Sequence, residues 1–208
     1  MSKVAIQGNA SGTGTFTIAA PNSNTDRTLT LPDEAGTVLT SASSIPVANL
    51  DSAVGITMAD QFRLTTDLTG SANPITSNLA RVDEATFSGI GTGMSESSGI
   101  FTFPSTGIYL IHYSIVVYIS STSDYCRGFI QVSNDSGVNY DAAAVAYASA
   151  ASTGTPFNSG STQFIFDVTD TTTHKVCFRI LQANASNEVR GLSTQNATFM
   201  TFIRLGDT

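Results

Sequence analysis

The chain has 208 residues, a formal net charge of −7 and only 12% charged side chains, while Ser and Thr make up about a quarter of it. Nine Lys and Arg with no basic run argue against binding nucleic acid through its phosphates. No apolar run reaches the length of a transmembrane helix, and the polar sequence after Met1-Ser-Lys lacks the apolar core of a signal peptide, so synthesis in the cytosol is expected unless a leader was removed earlier.

Strand formers (Thr, Val, Ile, Phe, Tyr) separated by Gly, Asn and Asp point to an all-β protein. The first 40 residues hold "GTGTFTIAAPNSNTDRTLTLPDEAGTVL", which predicts two short alternating strands with a turn between them and another after them. Ordering such a segment costs about 1–2 kcal/mol per residue. Phe16, Ile18, Leu29 and Leu31 return only about 1.5–3 kcal/mol each when buried. The deficit makes the hairpin a docking segment whose apolar side chains, with Arg27, find their buried surface on neighbouring chains. Residues 41–60 are small, polar and Pro-containing and read as a linker.

From residue 61 onward, strands punctuated by turns at short intervals mark a sandwich or barrel. The longest, over residues 107–119, places Tyr109, Ile111, Tyr113, Ile115, Val117 and Ile119 on one face, and Leu110, His112, Ser114, Val116 and Tyr118 on the other. Its half-apolar second face predicts a strand covered on both sides, by the core and by a subunit contact. The same alternation picks out Phe164, Phe166 and Val168; Val176, Phe178 and Ile180; and Phe199, Thr201, Ile203 and Leu205 as core-facing sets. "YDAAAVAYASAAS", residues 140–152, is rich in alanine but bracketed by glycines, and is read as a strand over the alternative of a helix.

Chemistry is sparse. With only His112 and His174, a three-histidine metal site is impossible, no Gly-x-Ser-x-Gly elbow occurs, and the glycine-rich stretches lack a phosphate loop's lysine. The expectation is a non-enzymatic protein with no metal and no cofactor. "SNDSGVNYD" lacks the spacing of a calcium loop and reads as a tight hairpin turn around Asp135-Ser136-Gly137. Tyr and Phe at strand spacing are core first and ligand platform second. Cys126 and Cys177 are read as buried free thiols, with a single disulfide as the alternative. Four Asn-x-Ser/Thr sequons, at Asn9, Asn134, Asn184 and Asn196, carry little weight in so Asn- and Ser-rich a chain. Candidate ligand positions fall in predicted loops: Asp124, Asn134, Asp135, Asn139, Asn158, Asn187, Glu188 and Arg190.

"SSGIFTFPSTGIYLIHYSIVV", with Gly99, Phe101, Pro104, Gly107 and Tyr109, resembles the signature strand pair of complement-q globular heads and related tumour-necrosis-factor-like jelly rolls. The C-terminal "STQNATFMTFIRLGD" is similar to the closing strand of that family, with Phe199 where its aromatic sits. The resemblance implies an antiparallel jelly-roll head over residues 61–208 that trimerises about a three-fold axis. Tyr109, His112, Tyr113, Val116, Tyr118 and Phe202 would then form the core and trimer strands.

The opening stretch is similar to a module near the start of many bacteriophage tail-fibre and virion-surface proteins, carried by Pro21-Asn22, Asp26-Arg27-Thr28, Leu31-Pro32-Asp33 and Gly36-Thr37. Together the two resemblances imply a homotrimeric virion structural protein, made in the host cytoplasm and placed on the virion surface. Residues 1–40 would dock on tail or major capsid proteins. The head would serve as a short tail fibre gripping a host glycan or protein, or alternatively as a capsid decoration protein. A secreted complement-like lectin is the more distant alternative. No membrane insertion is expected.

Overall fold

The computed structural model describes residues 10–15, 17, 22–26, 28, 55–82, 89–119, 124–149 and 157–208. The chain divides into two compact units, Met1–Ser44 and Ile45–Thr208. In the first, all described residues are exposed. In the stretch expected to turn between the two opening strands, the Thr25 N–H donates to Ser23 Oγ at 3.1 Å, a local bond typical of serine turns.

The second unit is all β among the described residues. Its strands are β1 (Ala59–Leu64), β2 (Thr66–Thr69), β3 (Leu79–Arg81), β4 (Ser95–Ser97), β5 (Ile100–Thr102), β6 (Gly107–Tyr118), β7 (Tyr125–Ser133), β8 (Asp141–Ser149), β9 (Phe157–Val168), β10 (Lys175–Gln182), β11 (Glu188–Leu192) and β12 (Phe199–Gly206). All pairings are antiparallel. A seven-stranded sheet runs β2-β11-β6-β12-β1-β3 with β9 along the other edge of β6, and a five-stranded sheet runs β4-β5-β10-β7-β8. Neighbours distant in sequence thus form a two-layer sandwich around one core.

β6 organises that core. Its residues alternate buried and half-buried along the whole strand, so Tyr109, Ile111, Tyr113, Ile115 and Val117 face inward, as the sequence pattern predicts. Phe62 and Phe202 from the seven-stranded sheet meet Phe101 from the other at centroid distances of 5.0 and 5.2 Å. Phe178 of β10 packs on Tyr113 at 4.9 Å. Gly128 of β7 lets the layers approach there: a Cβ would lie 2.9 Å from both Ile115 Cγ2 and Tyr113 Cε1.

The signature residues acquire physical roles. Gly99 has φ +81°, and a Cβ on it would come within 2.1 Å of the Ile75 carbonyl oxygen. Phe101 fills the core centre, and the Tyr109 hydroxyl donates to the Ser105 carbonyl at 2.9 Å, bracing the turn that feeds β6. Gly107 leaves room for Arg204, whose Nε donates to the Thr106 carbonyl at 2.9 Å.

β8 is a strand, as expected, and its alanines allow close packing: Ala146 and Ala148 are buried. The core-facing set on β12 differs from expectation. Met200 and Phe202 are fully buried, whereas Phe199, Thr201 and Ile203 are half-buried and Leu205 is exposed. Pairing decides this, because Phe202 stands opposite Ile111 of β6, and cross-strand partners share a face.

Candidate functional site

The solvent face of the seven-stranded sheet is read from register. Leu110 stands opposite Ile203 on one side and Ile165 on the other, with Ala59 beyond Ile203, so the four share one face. The next row holds Gln61, Thr201, His112 and Gln163, and Gln61 Nε2 donates to Thr201 Oγ1 at 2.8 Å. Phe199 packs on His112 with ring centroids 5.7 Å apart. Farther along, Val116 and then Tyr118 continue the face, Tyr118 opposite Phe157. Ile165 and Phe157 are each 59% exposed and Leu205 49%, large apolar side chains that the lone chain leaves in water. Of the six residues expected in the core and trimer strands, Tyr109, Tyr113 and Phe202 are interior, while His112, Val116 and Tyr118 are half-buried on this face.

At the far end of the face, Asp67, Tyr118, Phe157, Glu188 and Arg190 line an open pocket of about 110 Å³. Arg190 Nη1 donates to Asp67 Oδ2 at 2.6 Å, and Asp67 Oδ1 accepts the Gly191 N–H at 2.8 Å. Glu188 and Arg190, expected in a loop, lie on β11, which pairs with β2 and with the end of β6. Asn187 is fully buried, so as a ligand contact it is corrected: its N–H donates to the Asn184 carbonyl at 3.1 Å and its own carbonyl accepts from Gly70.

The remaining positions divide. Asn134 and Asn139 are exposed in the loop over residues 134–140. Asp135 organises that loop: it accepts from the Asn139 N–H at 2.9 Å, from the Ser133 hydroxyl and Asn139 Nδ2 at 2.7 Å, and from the Val138 N–H at 3.1 Å. These bonds, the Asn139 backbone first, lower its pKa to about 2. Asn158, also expected in a loop, is on β9 opposite Val117 and donates to the Ser149 carbonyl. Asp124 is half-buried just before β7. Phe16, Ile18, Arg27, Leu29 and Leu31 lie outside the described residues.

His174 is on the turn before β10, its ring 5.4 Å from Phe166. Among the described residues no group of three His, Cys, Asp or Glu is placed to hold a metal ion. Cys126 and Cys177 are free and buried, as read from the sequence. They lie on opposite faces of the five-stranded sheet, Cys126 toward the core and Cys177 beside Gln131.

No protein-family model and no curated protein sequence matches the chain. Solved structures do. Eiger TNF from S. frugiperda is similar with a TM-score of 0.55 and 13% identity, covering 74% of this chain and 96% of that one. Murine APRIL gives 0.51 and 18% identity, covering 71% and 98%. At such identities the shared property is the fold. The head is a tumour-necrosis-factor-like jelly roll, as its signature residues imply.

Proposed function

We propose that this protein is a non-enzymatic, homotrimeric attachment head, displayed on a bacteriophage virion as a short tail fibre and docked through its N-terminal segment. The observation carrying the self-association is the solvent face of the seven-stranded sheet, where Leu110, Ile203 and Ile165 form an apolar row with Leu205 exposed beyond it. Burying such side chains is worth about 1.5–3 kcal/mol each, and a three-fold arrangement of copies buries them on every subunit. The virion setting rests on the resemblance of residues 12–39 to fibre modules. A capsid decoration role is the second reading, favoured by the absence of any shaft repeat between residue 39 and the start of β1 at Ala59.

Light scattering on the purified chain tests the trimer: a particle of about three times 21.7 kDa is expected, and Ile165→Asp should shift it to one. A wild-type monomer overturns the trimer. Labelled protein offered to host cells and to capsids lacking it separates fibre from decoration, and failure on both rejects the virion reading.

A further inference from the structure

The solvent face of the five-stranded sheet carries a second surface, unrelated to the apolar row. On β7 the inward positions are Cys126, Gly128 and Ile130, so Tyr125, Arg127 and Phe129 project outward. Register places Arg127 between Tyr147 of β8 and Leu181 of β10, and Phe129 between Val145 and Arg179. The Arg127 guanidinium carbon lies 5.3 Å from the Tyr125 ring centroid, 5.6 Å from Phe129 and 5.9 Å from Tyr147. That of Arg179 lies 5.1 Å from the same Phe129 ring. Two cations thus share one aromatic ring, with Tyr147 61% and Tyr125 40% exposed beside them.

These arginines differ from three others. Arg81, Arg190 and Arg204 each hold an aspartate, Asp60, Asp67 and Asp207. Arg127 and Arg179 form no ion pair among the described residues. Two like charges beside one ring, with no ion pair among the described residues, are a local exception to the electrostatics of a protein of net charge −7. Contact with the rings orients the guanidinium groups; Arg127 Nε is buried with no partner among the described residues, and the terminal nitrogens are left to receive an anion.

We propose that this platform binds an acidic polysaccharide, a uronic-acid carboxylate seating against Arg127 and Arg179 while neighbouring sugar rings lie on Tyr147 and Tyr125. Arg127 lies between the ladders to β8 and β10, and β10 around Arg179 is flanked by β7 on one side and, through Ile180, by Ala72 on the other. Recognition must therefore come from side chains, which excludes strand addition by a peptide at this place. Flat aromatic faces beside a guanidinium pair suit the apolar faces and carboxylate edge of a uronate chain. Two cations are too few for the charge density of a nucleic acid. The proposal deepens the attachment reading, on which it rests for its setting, by naming the class of ligand.

The test is binding of the full chain at low salt to immobilised polygalacturonate, with dextran and polyglutamate as comparators. Binding to polygalacturonate alone is expected, weakened about tenfold or more by Arg127→Gln and by Arg179→Gln, as befits lost charge-assisted bonds. Tyr147→Ala, at a position exposed enough not to disturb the core, should weaken it several-fold, and near-ultraviolet circular dichroism checks the fold of each variant. Absence of binding by the folded chain overturns the proposal. So does equal binding to dextran or polyglutamate, or unchanged affinity in both arginine variants. Light scattering on the same samples keeps the two readings apart. A monomer that binds removes the trimer and leaves this site standing, whereas a trimer that does not bind removes this site alone.

Discussion

Asp60 and Arg81 are joined at two points, Arg81 Nε to Asp60 Oδ1 at 3.0 Å and Nη2 to Oδ2 at 3.1 Å, and the aspartate is almost fully buried. The same carboxylate accepts the Met94 N–H at 2.8 Å, so one side chain ties β1 to β3 and to the approach to β4. Asp60→Asn keeps the shape but removes the charge and one acceptor. Because Arg81 is half in water, its loss of a partner costs less than in a fully buried pair, and about 1–3 kcal/mol is expected by urea unfolding.

Tyr113 should behave in the opposite sense. Its hydroxyl is buried in the core with no hydrogen-bond partner among the described residues, and burial first, then the neighbouring Cys126, raises its pKa well above the usual value. Tyr113→Phe removes an unsatisfied polar group and leaves the ring stack on Phe178 in place. A gain of about 1–2 kcal/mol is expected in the unfolding midpoint, with an unchanged denaturant slope.

Both thiols are pushed up to about 12 by burial. In the unfolded chain they ionise near about 8.5. Folding therefore favours the protonated form: this contribution is whole below that value and is lost as pH rises toward 12. A thiol reagent at pH 8 should find neither cysteine in the native protein and both after unfolding. Melting temperature should fall progressively in alkali, less steeply in a Cys126→Ala, Cys177→Ala double variant.

Asp135 has the reverse linkage. Its folded pKa of about 2 lies below an unfolded value of about 3.9, so its stabilisation is present above the latter and disappears as pH falls through the former. Asp135→Ala should lower the melting temperature at neutral pH, and the gap from wild type should close between pH 4 and 2. Carbon-detected titration of the Asp135 carboxyl checks the value itself.

Where one face of a strand is wholly apolar, its role could be read directly. β6 is such a case, and glycines with steric duties, Gly99 and Gly107, marked its surroundings through their spacing with Phe101 and Tyr109. β12 has hydrophobic residues on both faces, so periodicity alone could not say which side Phe202 takes; only its register against β6 decides. β11 escaped because "NASNEVRGL" has loop composition, while its order comes from pairing with β2 and β6, with Gly191 close against Thr66. The same limit applied to the ligand search. Loops were favoured for Asn158, Glu188 and Arg190, which lie on strands, and the exposed rings of Tyr125 and Tyr147 could not be told from core aromatics without knowing which way β7 and β8 face.

The place of β12 in its sheet bears on how the protein is made. It lies between β1 and β6, joining Ala59 to Ile203 and Ile111 to Phe202. Until residues 199–206 have left the ribosome, both neighbours present bare edges and the ring cluster around Phe101 lacks one wall. The nascent head is consequently a sticky half-sandwich through most of translation, and closes only when its last strand slots in. A ribosome that stalls before residue 199 should leave product that aggregates or is degraded, rather than a folded sandwich lacking one strand.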